Sequence, residues 1–394
     1  MGKAISAVAV FAAALLVPLA SRAASLTTIY TFGAAGDGSG PYAALLNVGG
    51  ILYGTTYYGG INGAGTVFGI DPTTQAETFL YTPPNHDQRN LEGLSNALIN
   101  VGNALYGTSY YNGAFSYGSV FKINLATGHY ATVHSFSGGS DGSFPAAALL
   151  NVGGMAYGTT AGGGASNFGT VFMIDGATGA ETVVYSFAGG TDGRTPVAAL
   201  IDVGGLLYGT TGAGGGGAGC GSDGGGTVFK LDPVTRAETV LYPFACGSDG
   251  EGPAAGLVNV GGLLYGTTKY GGGYGFGTVF KINPTTGAET VVYSFGDGGD
   301  GQYPAAGLLD VRGTLYGTTS QGGIHLTIDG EESGQGTIFQ VNPSTGEEKV
   351  IHKFNFTTEG SQPQAGLISV GNALYGTTAY YGPSGGGTVF SFMP

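Results

Sequence analysis

Short runs of apolar, aromatic and β-branched residues follow one another along most of the chain, separated by glycine-rich stretches. The runs are rich in Val, Leu, Phe, Tyr and Thr, and they are bounded by Gly-Gly, Asn-Pro or Asp-Gly, which are typical of turns. No run has the apolar periodicity of about 3.6 residues that indicates an amphipathic helix. Apolar or small residues occupy both alternating faces of most runs, so we predict β-strands that are buried on both faces.

The runs belong to a unit that recurs seven times. One phrase, LYGTT or a near copy, occupies residues 52–56, 105–109, 156–160, 207–211, 264–268, 315–319 and 374–378. A second phrase, GTVF or a near copy, occupies residues 65–68, 118–121, 169–172, 226–229, 277–280, 336–339 and 387–390. Each unit predicts four strands, like residues 255–260, 263–268, 278–282 and 289–295 of the fifth unit. We interpret each unit as a four-stranded antiparallel meander, one blade, and number the blades in chain order.

The ends of the repeated region predict how the units are arranged. Residues 25–32, SLTTIYTF, copy the fourth strand of a unit, whereas the last unit stops after its third strand, GTVFSFMP. In a closed ring the N-terminal strand completes the last blade, which removes the exposed edges of an open array. We therefore predict an all-β fold, a seven-bladed β-propeller that forms one domain over residues 25–394. A linear β-solenoid is the alternative, and it has no need for the offset.

Sheets stacked around an axis also suggest a role for the tyrosine of LYGTT. We expect its ring, on one sheet, to sit over a glycine of the next sheet.

The phrases LYGTT, GTVFKIxP and ETVVYSF resemble the GloVer tandem repeat of exported bacterial proteins, and the strand order is also similar to that of kelch repeats. The GloVer resemblance extends over nearly all of residues 25–394 and all seven units. It implies export and carries no catalytic residues with it. Such proteins often end in a sorting tail, whereas this chain ends at Phe392-Met393-Pro394, so we expect a secreted or periplasmic protein rather than an anchored one.

The N-terminal residues predict a secretory signal peptide, residues 1–23. Lys3 precedes an apolar run over residues 4–20, and Ser21-Arg22-Ala23 offers small residues at the −3 and −1 positions of a cleavage site. A retained membrane anchor is the alternative, although the run is shorter than the roughly 20 residues that a span prefers. No later segment is apolar enough to cross a bilayer.

Composition narrows the possible partners. The net charge is −13 and the sequence has no Lys/Arg cluster, which disfavours nucleic acid and anionic lipid. The chain has two cysteines, Cys220 and Cys246, and an even number in an exported chain predicts a disulfide. Two free thiols are the alternative.

Loop lengths indicate where function resides. In a four-stranded blade, the loop between the second and third strands and the loop to the next blade lie on one face, which we call the variable face. Nearly all length variation falls there, in blade 4 before GTVF, at 320–335 in blade 6, and at 82–93 between blades 1 and 2. The turns of the opposite face are nearly constant. Variable loops on a rigid scaffold are typical binding sites.

An acidic residue recurs in the loop between blades, followed by Gly and, four positions after the acid, by Pro. These residues are Asp37, Asp141, Asp192, Asp249, Asp300 and Glu359. Carboxylates around a channel mouth could bind Ca²⁺, an oxygen-seeking ion. Recurrence in the blades favours a turn role instead, in which Asp bonds nearby backbone N–H groups. We therefore predict no cofactor, with Ca²⁺ as the alternative.

Tyrosines follow the LYGTT phrase unevenly among the blades. The second residue after it is Tyr58 in blade 1, Tyr111 in blade 2, Tyr270 in blade 5 and Tyr380 in blade 7. Because blades 7, 1 and 2 are neighbours in a ring, we predict that Tyr58, Tyr111 and Tyr380 form an arc, with Tyr110 and Tyr381 close by. Tyrosine offers a flat surface with a polar tip, which suits sugar rings. Packing between blades is the alternative.

These observations favour a secreted, non-catalytic binding protein, monomeric, whose ligand is a polysaccharide or a cell-surface glycoprotein on the variable face. A polysaccharide-active hydrolase or lyase is one alternative, and a structural or adhesion component is another. The sequence has no HExxH zinc motif, and because no helix is predicted it offers no nucleophile elbow between a strand and a helix.

Overall fold

The computed structural model describes residues 24–394 except 83–93, 95, 177, 218, 297–298, 324 and 329–330. The predicted signal peptide, residues 1–23, lies outside the described residues. Within them the only helices are two single turns of 3-10 helix, Gly190–Asp192 and Gly247–Asp249. The remaining elements are strands, as the alternating turn signals predict.

The described strands form seven four-stranded antiparallel blades, each from the innermost first strand to the outermost fourth strand. Blade 1 has Leu46–Val48, Ile51–Thr56, Thr66–Ile70 and Glu77–Tyr81; blade 2 has Ile99–Val101, Ala104–Ser109, Ser119–Asn124 and Tyr130–Ser135. Blade 3 has Leu150–Val152, Met155–Gly162, Thr170–Asp175 and Glu181–Ser186; blade 4 has Ile201–Val203, Leu206–Thr211, Thr227–Leu231 and Glu238–Pro243. Blade 5 has Val258–Val260, Leu263–Thr268, Thr278–Ile282 and Glu289–Ser294; blade 6 has Leu309–Val311, Thr314–Thr319, Thr337–Val341 and Glu348–Lys353. Blade 7 has Ile368–Val370, Ala373–Thr378, Thr388–Met393 and, from the N-terminus, Ser25–Thr31.

Short extra strands lie in the variable loops. Gly38–Ser39 pairs with Tyr58–Gly59, and Gly301–Gln302 pairs with Gln321–Gly322. Ser143–Pro145 pairs with the second strand of blade 3. His325–Ile328 pairs with Glu331–Gly334 to form a hairpin in the blade 6 loop.

The N-terminal strand closes the ring, as predicted. It pairs antiparallel with the third strand of blade 7, from Ser25 opposite Met393 to Thr31 opposite Thr388. The strand ends at Thr31, one residue before the predicted end. Innermost strands of successive blades contact one another, including those of blades 7 and 1. The described chain is therefore a seven-bladed propeller, and the solenoid alternative is wrong.

The glycine of LYGTT makes room for a phenylalanine. Gly54 pairs with Phe68 of the third strand in the same blade, and a Cβ on Gly54 would lie 2.4 Å from the Phe68 Cζ atom. The ring nearest Gly54 is therefore Phe68 of the same sheet, not a tyrosine of a neighbouring sheet. The seven blades place a phenylalanine at this position, and it is fully buried in each.

The two threonines of the phrase have separate hydrogen bonds. Except in blade 4, where the Thr210 hydroxyl has no partner among the described residues, the first donates to a backbone carbonyl of the next blade. Thr55 donates to Asn96 at 3.2 Å, and Thr377 donates to Ala43 across the ring closure at 3.5 Å. The second pairs with the first residue of the third strand, as Thr211 Oγ1 does with Thr227 Oγ1 at 2.8 Å. The phrase therefore joins strands within a blade and blades to one another.

A phenylalanine from the end of the fourth strand completes each of six blade interfaces among the described residues. It packs on the third-strand phenylalanine of the next blade with ring centroids 5.0–5.2 Å apart. The pairs are Phe32–Phe68, Phe136–Phe172, Phe187–Phe229, Phe244–Phe280, Phe295–Phe339 and Phe354–Phe390. The hydrophobic core is thus a series of clusters between neighbouring blades rather than one central core.

Candidate functional site

The axis of the ring holds a shallow bowl of about 320 Å³. Its wall is the segment before the first strand of each blade, where the chain arrives from the variable face, and most of the lining residues are alanine or glycine. The backbones approach closely here, since a Cβ on Gly307 would lie 3.2 Å from the Gly256 carbonyl oxygen. The larger lining side chains include Tyr42, Val197 and Gln364. The bowl therefore has a mostly apolar wall, and its polar side chains, Tyr42, Asn96 and Gln364, come from blades 1, 2 and 7.

Tyr42 lines the bowl, and three further tyrosines pack around it; we call the four the tyrosine rim: Tyr42, Tyr57, Tyr58 and Tyr380. The Tyr42 ring lies edge-on to Tyr57 and Tyr380, with centroids 5.4 and 5.8 Å apart. Tyr57 lies edge-on to Tyr58 at 4.6 Å. Tyr58 is 41% exposed and Tyr380 is 37% exposed. The rim therefore presents two partly open aromatic rings that are supported by two others.

A hydrogen bond fixes the centre of the rim. The Tyr42 hydroxyl donates to the Tyr380 hydroxyl, which joins blade 1 to blade 7. Burial, and then this hydrogen bond, raises the pKa of Tyr42 above its ordinary value. The phenol therefore stays protonated across the physiological pH range. Because the Tyr42 proton is engaged by Tyr380, the Tyr42 oxygen can accept from a hydroxylated ligand, while the Tyr380 hydroxyl can donate to one.

The structure brings together two of the three tyrosines predicted to form an arc. Tyr58 and Tyr380 meet around Tyr42, which the sequence reasoning missed. The available signal was a departure from the repeat, because blades 3, 5 and 6 have Ala146, Ala254 and Ala305 at the position of Tyr42.

Tyr110 and Tyr111 belong to a second cluster, around Phe144 of the next blade. Tyr110 stacks on Phe144 at 5.2 Å, and Tyr111 lies edge-on to the same ring at 5.6 Å. Tyr381 is 45% exposed and lies edge-on to Phe356 at 5.7 Å. The predicted tyrosines are therefore divided among three aromatic clusters.

The recurrent acidic residues bond the backbone of their own loops. The carboxylate accepts from a backbone N–H four residues earlier in each case: Asp37 from Gly33, Asp141 from Ser137, Asp192 from Ala188, Asp249 from Ala245, Asp300 from Gly296 and Glu359 from Asn355. This is the contact expected of a turn residue. Within the described part of the chain, no group of three or more His, Cys, Asp or Glu residues has the arrangement to hold a metal ion. Ca²⁺ binding by these loops stays a prediction.

Each of five acidic loop residues also faces a glutamate from the fourth strand of the next blade. A fourth-strand tyrosine or histidine lies beside the two carboxyl groups, as where Tyr30 donates to Glu77 at 2.7 Å and to Asp37 at 3.3 Å. The five carboxyl pairs are Asp37–Glu77, Asp141–Glu181, Asp192–Glu238, Asp249–Glu289 and Asp300–Glu348. In each glutamate Oε1 is buried and has no hydrogen-bond partner among the described residues.

Burial makes these glutamates hard to ionise. Burial first, and the neighbouring aspartate second, raises the pKa of Glu238 to about 8 and those of Glu181, Glu289 and Glu348 to about 7. These pairs were not predicted from the sequence. Their only signal was a glutamate that recurs in an otherwise apolar fourth strand.

The predicted disulfide is present. Cys220 and Cys246 are bonded, with their Cα atoms 5.3 Å apart. The bond links the long loop of blade 4 to the loop that leaves the same blade. Over the described residues, no helix is long and apolar enough to cross a membrane.

A family model described as the Gloeobacter/Verrucomicrobia repeat matches residues 14–167 and 153–327. The match spans more than half of the chain, so the chain belongs to this family, and the resemblance drawn from the repeated phrases is confirmed. Curated protein sequences include no significant match.

Solved structures share the propeller fold at low identity. The extracellular domain of a hybrid two-component system, BT4673 from B. thetaiotaomicron, aligns with a TM-score of 0.61 at 11% identity, over 93% of this chain and 39% of that chain. An oligogalacturonate lyase in complex with manganese aligns with a TM-score of 0.53 at 11% identity, over 94% of this chain and 96% of that chain. At these identities the likeness establishes the fold alone.

Proposed function

We propose that this member of the Gloeobacter/Verrucomicrobia repeat family is a non-catalytic binding protein that holds a polysaccharide or the glycan of a cell-surface glycoprotein on its variable face. The observation that carries the proposal is the tyrosine rim beside the axial bowl. Sugar rings have apolar faces and hydroxyl edges, and tyrosine matches both with its ring and its phenol. A rim of partly exposed, mutually supported rings also loses little conformational entropy on binding.

The chemistry of the bowl favours a neutral ligand. The residues that line it include no charged side chain, and its polar groups are hydroxyl and amide groups. A charged ligand would therefore lose its hydration without gaining an ion pair. We assign the binding preference to uncharged, hydroxyl-rich glycans.

The proposal places the protein outside the cytoplasm. Residues 1–23 have the features of a signal peptide, and the Cys220–Cys246 disulfide is typical of oxidising compartments. The extracellular domain of BT4673 has the same fold, which is compatible with this location.

Binding of purified residues 24–394 to a panel of neutral polysaccharides tests the proposal. The test variant is Tyr58→Ala with Tyr380→Ala, because blade 4 has Ala213 at the equivalent position and the fold accepts it. The control is Tyr270→Ala, which removes a ring of similar exposure, 44%, from blade 5. We expect the double variant to lose at least tenfold in affinity at an unchanged Tm, and the control to bind as the native protein does.

Three outcomes would count against this function. Equal loss in the control would mean that exposed tyrosines bind glycan without a specific site. Absence of binding by the native protein to any glycan would shift the role to a protein partner or a structural component. Release of soluble sugar from the polysaccharide would favour the hydrolase or lyase alternative.

A further inference from the structure

A second pocket, of about 310 Å³, opens on the face opposite the variable loops. Its lining residues are Ala104, Tyr106, Lys122, Asn124, Thr127 and His129. All six belong to blade 2, from the second strand, the third strand and the turn that follows it. This pocket is separate from the axial bowl and shares no lining residue with it.

The strand register explains how the pocket forms. Lys122 pairs with Tyr106, and Asn124 pairs with Ala104, so these four residues occupy one face of the sheet. Blade 3 lies against the same face, where the Tyr106 hydroxyl donates to the Gly176 carbonyl oxygen at 3.5 Å. Ala104 has the smallest side chain of the four, and the space above it is the pocket.

The other blades serve as internal controls for this position. Blade 5 keeps the lysine, the asparagine and the threonine, as Lys281, Asn283 and Thr286. It differs by Leu263 at the position of Ala104 and by Ala288 at the position of His129. Blade 7 also has an alanine at this position, Ala373, but it has Ser391 at the position of Lys122. The fold therefore requires neither the small residue nor the histidine, and only blade 2 combines the alanine, the lysine and the histidine.

Three polar side chains of the pocket, Lys122, Asn124 and His129, can donate to a ligand. Asn124 Oδ1 accepts from the backbone N–H groups of Ala126 and Thr127, at 2.9 and 3.1 Å, so the side chain has only its NH₂ group to offer a ligand. Lys122 forms no ion pair with a carboxylate of the described residues, although the chain has a net charge of −13. His129 adds an exposed imidazole at the edge. An ammonium, an amide NH₂ and an imidazole together match an oxyanion.

We propose that the blade 2 pocket binds a small carboxylate, carried by a sugar ring or by a short organic acid. Its volume is at the lower end of ligand pockets, which are typically about 300–1,000 Å³, so the ligand has at most about the size of a monosaccharide. Lys122 supplies the positive charge that a carboxylate needs, whereas no charged side chain lines the axial bowl. The site does not depend on glycan binding at the variable face.

Isothermal titration of residues 24–394 with sodium glucuronate, sodium lactate and neutral methyl glucoside tests this site. Two variants copy residues from other blades and so preserve the fold. Ala104→Leu with His129→Ala gives the pocket the residues of blade 5, and Lys122→Gln gives it Gln340 of blade 6. The control is Lys230→Ala in blade 4, where the neighbouring Leu206 occupies the position of Ala104.

We expect saturable binding of at least one of the two carboxylates by the native protein and by the Lys230→Ala control. Tighter binding of glucuronate would identify a sugar acid as the ligand, and tighter binding of lactate a short organic acid. Each pocket variant should lower the affinity at least tenfold. The site would be refuted by unchanged affinity in both pocket variants, by equal binding of methyl glucoside, or by no saturable binding of either carboxylate to the native protein.

Discussion

At the scale of single residues, the repeated phrase LYGTT is a set of contacts that recurs in most blades. Its glycine receives a phenylalanine ring, its first threonine reaches the next blade, and its second threonine bonds the third strand. Blade 2 has Ser109 and Ser119 in place of the threonine pair, and the Ser119 hydroxyl has no hydrogen-bond partner among the described residues. Recurrence in the sequence shows that these positions are constrained, but only the register shows which strand each hydroxyl faces.

The buried threonine pair of blade 4 allows a test. Thr211 Oγ1 donates to the Ala213 carbonyl oxygen, pairs with Thr227 Oγ1 and accepts from the Thr227 N–H. Valine has nearly the shape of threonine, so Thr211→Val leaves the Thr227 hydroxyl and N–H without this partner. The free energy of unfolding should fall by about 1–3 kcal/mol, the cost of a buried polar group without its hydrogen bond. We expect urea unfolding to show this loss. Thr211→Ser, which blade 2 uses at the same position, should cost less; an equal cost would mean that the hydroxyl is not the cause.

The contacts of Tyr42 could not be predicted by comparing the repeats position by position. Its departure from alanine is visible in the sequence, yet its contacts with Tyr57 and Tyr380 depend on closure of the ring between blades 1 and 7. The prediction of Tyr58 and Tyr380 needed only their common place after LYGTT. The separation of Tyr111 into another cluster depends on Phe144, a loop residue of blade 3 whose position no periodicity fixes.

At the scale of elements, strands and blade order follow from the repeat, whereas the carboxyl pairs do not. Each pair joins a loop to a fourth strand at least forty residues later, as for Asp37 and Glu77. The glutamate is not needed for packing, because blade 2 has Tyr130 at its position, stacked on Tyr81 at 3.8 Å. The fourth strand of blade 7 has Leu26 there. Only the lateral alignment of neighbouring blades shows that two carboxyl groups meet.

These pairs predict that stability falls as the pH rises. The pKa of Glu238 is raised to about 8, and those of Glu181, Glu289 and Glu348 to about 7, above the ordinary value in an unfolded chain. A raised folded-state pKa favours folding while the group is protonated, and this contribution is lost as the pH passes through the folded-state value. We therefore expect Tm to fall between about pH 5 and pH 8. A Tm that rises across this window would contradict the assignment.

Glu238→Gln should weaken this pH dependence. Glutamine keeps the shape of the protonated acid and carries no charge at any pH in the window. The control is Glu347→Gln, which removes one charge from an exposed turn. The contribution of the pair would be refuted if the two variants had the same Tm profile as the native protein.

At the scale of the whole molecule, one offset in the sequence predicts the closed ring. The strand Ser25–Thr31 completes blade 7, so both ends of the propeller lie in one blade. Closure brings blades 7 and 1 together, and this junction carries the tyrosine rim. The bowl could not be predicted from the sequence, because it is a property of seven lining segments that meet only on the axis.

The central claim is that glycans bind at the tyrosine rim. Hydroxyl-radical footprinting with a soluble oligosaccharide of the polysaccharide that binds best tests it most directly, because tyrosine rings are oxidised in proportion to their exposure. The protein has no tryptophan to compete for the reagent. We expect the sugar to protect Tyr58 and Tyr380 and to leave Tyr270 oxidised as before. Saturable binding that leaves Tyr58 and Tyr380 as reactive as in the free protein would contradict the claim.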